Sequence, residues 1–547
     1  MKKELIKEEK DSGSMLNVSQ LKGRLRKLKS DRGTWETHWQ EITDYIVPRK
    51  NTVLSKKYPG EKRTWQLLDN VGVQANELLA GSLHGLLTNP NAEWFELTTG
   101  DYALDNNDNV REWLQTQTTK IHNVLNNSNF QTEVHEVYID LGSIGTSCLL
   151  VEKSKKSVVR FSSKFITDYY IGESPFGTVD EVHREWKWTA HELINEFGMD
   201  KMPKKVLEAF EKKSDAKFTV VHAVYPRYRC EPEYNGTSKF ISQNYIPECD
   251  HIIDSGRFEE MPYIVTRWGK ATGETYGRSP GMTALPELKV LNKMNETILI
   301  GAQKQVDPPI QMPDDGFVRP IITRPGGINY FRAGSNDYIK PIFNDTRMDF
   351  GYQAMEDRRK RVRDAYYVDQ LQLQQAQGAA MTATEVMQRT EQQMRLLGPM
   401  LGRQQAEFLR PLVDRVFNIM WREGLIDPPP SELSKVKGRL DVRYSSLIAK
   451  SQRVAEGQNI QRALQAVSPF IQLDPSVADN FNGDQAVRAL ASIYGMPQQM
   501  LNNADVVQQK RDQRAQQQAQ LQQMAQQQHD AQVTQANVKS MKDMVGQ

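Results

Sequence analysis

The chain is poor in cysteine and lacks any long apolar run. Its 547 residues include three cysteines, Cys148, Cys230 and Cys249, and no two of them have CxxC spacing. Neither a disulfide framework nor a zinc cluster is therefore expected, and the chain fits a reducing compartment. No stretch approaches the roughly 18 apolar residues that a membrane span needs, and the charged N-terminal sequence MKKELIKEEKDSGS has no apolar signal core. We expect a soluble chain that is made in the cytosol and has no membrane contact.

A strong charge of either sign is also missing. The 70 Lys and Arg residues against 68 Asp and Glu give a formal net charge of +2 at pH 7. Proteins that hold many phosphates carry a large basic excess or a basic stripe, so tight nucleic-acid binding by the whole chain is not expected. The basic run RRKRVR at 358–363 is a local exception. It is compatible with a nucleic-acid patch, and at least as compatible with a solvated or subunit-contact helix face.

The sequence contains no complete catalytic motif. LGSIGTS at Leu141–Ser147 lacks the lysine of a phosphate-binding loop, and it follows a predicted helix instead of a strand. HELINEF holds His191 and Glu192, but Asn195 stands where a metalloprotease needs its second histidine. No GxSxG elbow is present, and the nine histidines show no metal-ligand spacing. We therefore predict that the protein is not an enzyme and has no catalytic, cofactor-binding or metal-binding residues.

Apolar spacing divides the chain into helical and strand-rich parts. β-Branched and aromatic residues dominate 143–270, with strand candidates CLLVEK, SVVRFSS, EVHREWKWT, KFTVVHAVYPRY and YIVTRWG, and LDVRYSS is a later candidate. The segment 306–345 is rich in proline and glycine. Helical spacing predicts helices at 15–48, 65–88, 107–142 with a break near 126–129, 189–212, 286–305 and 347–366. These patterns indicate an α+β chain that is predominantly helical.

A long helix is predicted from Met381 to Trp421. Thr382 and Glu385 form a T-x-x-E capping box at its start, and apolar residues follow at helical spacing. Gly398-Pro399 and Pro411 lie inside it, and proline removes a helical hydrogen bond and clashes with the preceding turn. We therefore expect one helix that bends.

The C-terminal segment changes composition once more. Between Gln508 and Gln528 the chain has 12 glutamines in 21 positions and few apolar residues. Two interpretations stay open. The segment is either a disordered tail, or a helix that is ordered only by identical neighbours, whose close approach the small residues Ala515, Ala519, Ala525 and Ala531 would permit.

The order of these parts resembles one protein family. The segments that carry the likeness are SDRGTWETHWQEITDYIVPR at 30–49, RTWQLLDNVGVQANELLAGSLHGLLTNPNAEWFEL at 63–97, GETYGRSP at 273–280 and MTATEVMQRTEQQM from Met381. Together with the ordered layout they cover the chain to about residue 503. The chain thus resembles the head-to-tail connector, or portal, protein of short-tailed (podovirus-type) tailed bacteriophages.

The resemblance implies a portal-type subunit in a ring that is twelve-fold in the assembled particle. The ring would lie at one capsid vertex and form the channel for genome packaging, retention and ejection. The implied parts are the helical (1–142) and strand-rich (143–280) wing, the first stem helix (281–305), the clip (306–345), the second stem helix (346–366), the tunnel loop (367–381), the long kinked helix with a return to the wing (382–444), the crown (445–503) and the C-terminal barrel helix or disordered tail (504–547).

The resemblance also suggests which residues carry these roles. They are the tunnel-loop residues Val368, Asp369, Gln370, Leu371, Gln372, Gln374 and Gln375; the basic face of the stem, Arg358, Arg359, Lys360, Arg361 and Arg363; the clip residues Arg319, Arg324 and Arg332, expected to contact terminase or tail; and the helix cap and kink, Thr382, Glu385, Gly398 and Pro399. Ring contacts could also explain Trp35, Trp39, Trp94 and Trp113, although core packing is the favoured explanation.

The implied partners are other copies of the chain, double-stranded DNA in the channel, the major capsid and scaffolding proteins, the large terminase subunit, tail adaptor or nozzle proteins and internal core proteins. No cofactor and no membrane are implied. The expected location is the portal vertex of the virion, and the host cytoplasm during assembly. The alternative is another virion structural or tail adaptor protein without a DNA channel, which should lack the inserted segment between two stem helices.

Overall fold

Residues Met1–Trp94 and Ile121–Ile426 form one structural unit, and Phe95–Lys120 with Asp427–Gln547 form a second. The computed structural model describes residues 15–50, 52–54, 60–64, 67–105, 107–154, 156–231, 238–311, 322, 328, 330, 340–341, 348–371, 398–435, 441–444, 457, 459–469, 480, 482–493, 496, 500–502 and 504–545. Within these ranges no helix has the length and apolar character that crossing a membrane requires.

The helices follow the predicted periodicity closely. In chain order they are α1 Val18–Tyr45, α2 Val71–Leu87, α3 Tyr102–Asp105, α4 Asp108–Asn126, α5 Phe130–Ser143, α6 Ala190–Phe197, α7 Lys204–Glu211, α8 Pro280–Val306, α9 Met348–Ala365, α10 Val368–Leu371, α11 Arg410–Arg422, α12 Ser431–Lys435, α13 Gly483–Ile493 and α14 Ala504–Val545. Residues 398–404 and 459–469 are also helical, and a π-helical turn, Gln405–Leu409, precedes α11. The break predicted near 126–129 is confirmed between α4 and α5.

The strands are β1 Phe95–Thr98, β2 Thr146–Ser154, β3 Val158–Lys164, β4 Tyr169–Glu173, β5 Val179–Thr189, β6 Lys217–Pro226, β7 Phe240–Ile246, β8 His251–Phe258, β9 Tyr263–Arg267, β10 Ile310–Gln311, β11 Lys340–Pro341 and β12 Asp441–Tyr444. They pair antiparallel in a three-stranded sheet, β3-β2-β9, a five-stranded sheet, β4-β5-β6-β7-β8, and two ladders, β1-β12 and β10-β11. The predicted strands correspond to β2, β3, β5, β6, β9 and β12, whereas β1, β4, β7 and β8 have no counterpart among them.

Helices cover the five-stranded sheet on both faces. On one face, the α1 residues Leu21, Leu25 and Leu28 pack against alternate β6 residues such as Val221 and Tyr225. On the other face, α6 and α7 pack against Val220, a β6 residue whose side chain points away from α1, and against residues of β7 and β8. Each buried leucine contributes about 1.5–3 kcal/mol of transfer free energy. The alternation along β6 therefore fixes which helix lies on which face.

The second unit contains the C-terminal part of the chain. Asp427 is bound to α4 within this unit, because its carboxylate accepts hydrogen bonds from Gln117 at 2.9 Å and Lys120 at 2.6 Å, and Trp113 Nε1 donates to its backbone oxygen at 3.0 Å. The glutamine-rich segment is the helix α14, and residues 508–527 are exposed along it. Within the subunit, α14 therefore buries none of those side chains.

Candidate functional site

Two of the segments that carry the family likeness meet in one aromatic cluster. Trp35 and Trp39 of α1 lie with ring centroids 6.0 and 5.0 Å from that of Tyr276, which belongs to GETYGRSP. Arg278 lies over the Trp35 ring, with Cζ 5.2 Å from its centroid. Trp39, Trp94 and Trp113 are buried and Trp35 is half-buried. Core packing, the favoured explanation for these tryptophans, is therefore confirmed for the first three.

GETYGRSP also brings α8 close to α5 and β2. The backbone amide of Gly277 donates to Thr146 Oγ1 at 2.7 Å, and a Cβ at Gly277 would lie 2.2 Å from the Gly145 carbonyl oxygen. Ser279 caps α8, since its hydroxyl accepts from the Met282 amide at 3.0 Å. Pro280 fits the first turn, where no helical N–H bond is needed. Because of this cap, α8 begins several residues before the predicted helix at 286–305.

Helices α8 and α9 form an antiparallel hairpin. Glu287 pairs with Arg358 and Arg361, a Cβ on Gly351 would lie 2.9 Å from Ile298, and β10 pairs with β11 beyond the helices. Residues near the start of α8 therefore face residues near the end of α9. The two strands occupy the first and last parts of the predicted insertion, 306–345.

The two halves of this hairpin differ in burial. The first half of α8 contributes Leu285, Leu288 and Leu291 to the core, but no α8 residue from 292 to 306 is buried. Several large apolar side chains of the outer half are solvent-exposed in the subunit, with 88% of Val306 and 77% of Phe350 exposed; the others are Leu299, Ile300 and Tyr352. Exposed apolar side chains grouped in this way mark a contact surface.

The predicted basic face of α9 is largely neutralised within the subunit. Arg358 and Arg361 pair with Glu287 at 2.6 and 3.5 Å, and Arg358 holds the pKa of that carboxyl below its usual value. The remaining ion pairs are Arg359 with Asp69 at 2.9 Å and with Glu356 at 3.3 Å, and Arg363 with Glu356 at 2.8 Å. Among the described residues Lys360 has no such partner and is exposed. Of the five basic residues of this face, all of which the structure describes, four are ion-paired and Lys360 is not.

The segment after α9 leaves the hairpin through a fixed turn. Tyr366 is fully buried, Tyr367 has a left-handed φ of 59°, and the Tyr367 ring stacks on Trp268 with centroids 6.5 Å apart. Val368, predicted as a channel residue, is only 3% exposed and belongs to α10. It therefore faces the interior of the subunit. Asp369 and Leu371 are half-buried and Gln370 is exposed.

Other predicted site residues have the following positions. Gly398 and Pro399 are exposed and lie in the helical segment 398–404. The remaining ones lie outside the described residues: Gln372, Gln374, Gln375, Arg319, Arg324, Arg332, Thr382 and Glu385.

A polar contact that no local sequence pattern predicts joins the long helix to β9. Glu407 lies in the π-helical turn, and its carboxylate accepts from Arg267 Nη2 at 2.8 Å, Nε at 3.2 Å and the Arg267 amide at 3.0 Å. Gln404, one turn earlier, accepts from Thr266 Oγ1 at 2.8 Å and donates to the Arg267 carbonyl at 2.9 Å. The Arg267 side chain is 1% exposed. A π turn places these side chains together on the face that meets the strand.

The same arginine holds the turn between β4 and β5. Arg267 Nη1 donates to Glu173 at 3.1 Å and Nη2 donates to the Gly177 carbonyl at 2.8 Å, while Lys270 also pairs with Glu173. No group of three or more His, Cys, Asp or Glu side chains in the described ranges could hold a metal ion. The arrangement has the chemistry of a structural joint, since every charge in it is compensated and fixed.

Comparison with known proteins identifies one matching family and several similar chains. The sequence profile of the family described as "Bacteriophage head to tail connecting protein" matches residues 18–501. The chain is 30% identical over 509 residues to the probable portal protein of Bordetella phage BPP-1, covering 91% of each chain. It is 28% identical over 513 residues to the portal protein of Salmonella phage epsilon15, covering 92% of each. A chain from the virion of a native gene transfer agent particle overlaps with a TM-score of 0.34 at 12% identity, over 78% of this chain and 95% of that one.

Proposed function

The chain belongs to the bacteriophage head-to-tail connecting protein family, and from this premise we propose how its parts serve the portal of a tailed phage. Its function is that of a portal protein, a structural component of the virion at the head-tail junction that assembles into ring oligomers. The finer proposal is a ring of twelve copies around a channel. Double-stranded DNA enters, is retained and leaves through this channel.

The α8–α9 hairpin carries the proposal. Its inner half is packed into the subunit, whereas its outer half exposes Leu299, Ile300, Val306 and Phe350. An isolated subunit gains nothing from exposing these side chains to water, but a neighbouring copy in a ring can cover them. Each Å² of apolar area that is covered then stabilises the ring by about 25 cal/mol. We assign α8 and α9 to the stem (281–305 and 346–366) and the insertion 306–345 to the clip, which would contact terminase and later the tail through Arg319, Arg324 and Arg332.

The remaining regions follow the same proposal. Residues 1–142 and 143–280 would form the wing, 382–444 the long bent helix that returns to it, 445–503 the crown, and 504–547 a C-terminal barrel. The tunnel loop would be 367–381. Because Val368 is buried, the channel-facing side chains of the tunnel loop would begin at Asp369 or Gln370. They would include Leu371, Gln372, Gln374 and Gln375.

A channel should let DNA slide, so it should not bind phosphates tightly. The basic face of α9 matches this requirement, because ion pairs compensate four of its five residues, Arg358, Arg359, Arg361 and Arg363, and leave Lys360. The sequence has no ATP-binding loop. We therefore propose a passive, non-enzymatic conduit that works beside a separate motor.

The proposed partners are the major capsid and scaffolding proteins, the large terminase subunit, tail adaptor or nozzle proteins and internal core proteins. Assembly would take place in the host cytoplasm. No cofactor is proposed.

A charge on the outer hairpin tests the assignment of the stem. Leu299→Glu combined with Phe350→Glu should abolish the large oligomer in sedimentation velocity, because two carboxylates would be buried at every subunit contact. The matched control is Leu78→Glu with Leu425→Glu, which places two charges on exposed leucines outside both the hairpin and the proposed barrel. Oligomers of unchanged size in the hairpin variant would contradict the assignment.

A further inference from the structure

The turn between β4 and β5 exposes an aromatic side chain almost completely. Phe176 is 94% exposed, the largest exposed fraction of any large apolar side chain in the described residues. It lies at the tip of the segment Glu173–Thr178, here called the Phe176 turn. A phenylalanine in water forgoes the transfer free energy of a large apolar surface, which a partner that covered the ring would recover.

The Phe176 turn is held in one conformation by its own hydrogen bonds. The Ser174 amide donates to the Thr178 carbonyl at 2.8 Å, the Gly177 amide donates to the Ser174 carbonyl at 3.0 Å, and the two hydroxyls of Ser174 and Thr178 lie 2.7 Å apart. Gly177 has a φ of 83°, a left-handed conformation that glycine adopts without strain. The backbone at the tip is thus fixed without any contribution from the Phe176 ring.

The base of the turn is fixed to the interior of the first unit. The buried Arg267 donates to the Gly177 carbonyl and pairs with Glu173, and it is itself held by Glu407 of the π turn. Such a mounting presents the backbone of Phe176 in a preset position. Preorganisation lowers the entropy that binding would otherwise cost, and aromatic side chains, phenylalanine included, are enriched in protein interfaces.

Charge around the turn indicates what kind of partner fits. Glu173 is compensated by Arg267 and Lys270, so the base of the turn offers no free cation to a phosphate and no free carboxylate to a metal. The surface favours an apolar recess on a protein. A ring places an identical copy beside every subunit through a heterologous contact, in which one surface meets a different surface of the next copy.

We propose that Phe176 inserts into an apolar recess of the neighbouring copy in the ring and is an energetic centre of that subunit contact. The inference rests on ring assembly, and it adds to the stem contact a second one made by the strand-rich part of the subunit.

Photo-crosslinking of the full-length chain tests this inference. Phe176→p-benzoylphenylalanine, irradiated in the ring fraction, should give covalent multimers on a denaturing gel, with crosslinked peptides from two copies of this sequence. The same protein irradiated as monomer should give none. Rings without crosslinks between copies would overturn the inference and leave ring assembly standing. If the unsubstituted chain forms no rings, both are overturned.

A truncation provides the energetic measurement. Phe176→Ala should raise the concentration needed for half-maximal ring formation roughly tenfold or more, as expected for a central interface residue. It should leave the melting temperature of the monomer unchanged, because the aromatic side chain is exposed in the subunit. Met199→Ala, which removes another exposed apolar side chain, is the control and should assemble as the unsubstituted chain does. A Phe176→Ala variant that assembles at the same concentration as the unsubstituted chain would overturn the inference.

Discussion

Replacing Glu407 by glutamine should loosen the joint between the long helix and β9. The substitution keeps the shape of the side chain but removes the charge that faces three donors of Arg267, at 2.8, 3.0 and 3.2 Å. Breaking a buried ion pair costs about 3–5 kcal/mol. Arg267 keeps Glu173 as a second carboxylate partner, so we expect the lower part of that range or slightly less, about 2–4 kcal/mol.

Hydrogen exchange measures this cost where it arises. The Arg267 amide itself donates to Glu407, so peptides that contain β9 should exchange roughly 30-fold faster or more in Glu407→Gln, since each 1.4 kcal/mol is a factor of ten. The matched control is Arg403→Ala. It removes a partially exposed partner of the same carboxylate, at 3.2 Å, and should cost under about 1 kcal/mol. Equal protection in the two variants would refute the reasoning.

Three further predictions concern packing, pH and the C-terminal helix. Gly277→Ala should destabilise the first unit by several kcal/mol, on the order of the worst core substitutions, because its Cβ would lie 2.2 Å from the Gly145 carbonyl oxygen. The control Gly398→Ala has open space around its Cβ and should be neutral or stabilising in thermal unfolding. Equal melting temperatures of the two variants would contradict this prediction. Burial lowers the pKa of His222 to about 3, below its ordinary value of about 6.5. As the pH falls, the unfolded state therefore gains the proton first, and the free energy of unfolding should decrease by about 1.4 kcal/mol per pH unit from about pH 6.5 down to about pH 3. His222→Gln should lose that part of the slope in urea unfolding at successive pH values, and an unchanged slope would argue against a neutral buried His222. Deletion of 504–547 should leave rings intact in sedimentation, because wing and stem contacts hold them, and loss of rings would show that α14 is needed for assembly.

Local patterns predicted most helices because their apolar faces pack on neighbouring elements. The α1 leucines at spacings of three and four are all buried, and the break between α4 and α5 follows the asparagine-rich stretch 126–129. In β7, however, Ser242, Gln243 and Asn244 are buried polar residues. Ser242 bonds to His222 at 2.8 Å and Gln243 to Tyr225 at 2.5 Å. Hydropathy therefore does not identify this strand, since its burial depends on partners elsewhere in the sequence.

In the candidate site, too, local sequence predicts the helices but not the partners of their side chains. The basic run on α9 is a helix as predicted, yet the groups that compensate it, Glu287 and Asp69, lie about 70 and 290 positions away. Arg267 and Glu407 are 140 positions apart. Val368 follows two tyrosines and precedes a polar run, so composition indicates a loop, whereas the fold buries its side chain. Pairings over such distances depend on the assembled fold and have no local signal.

Negative-stain imaging of the purified full-length chain shows whether it assembles into a closed ring. We expect annular particles with a central hole, and a native mass of twelve times the 62.7 kDa subunit for the proposed stoichiometry. A closed ring of another copy number would correct the number twelve alone. A monodisperse monomer without annular particles, at concentrations where the chain is folded, would contradict the account.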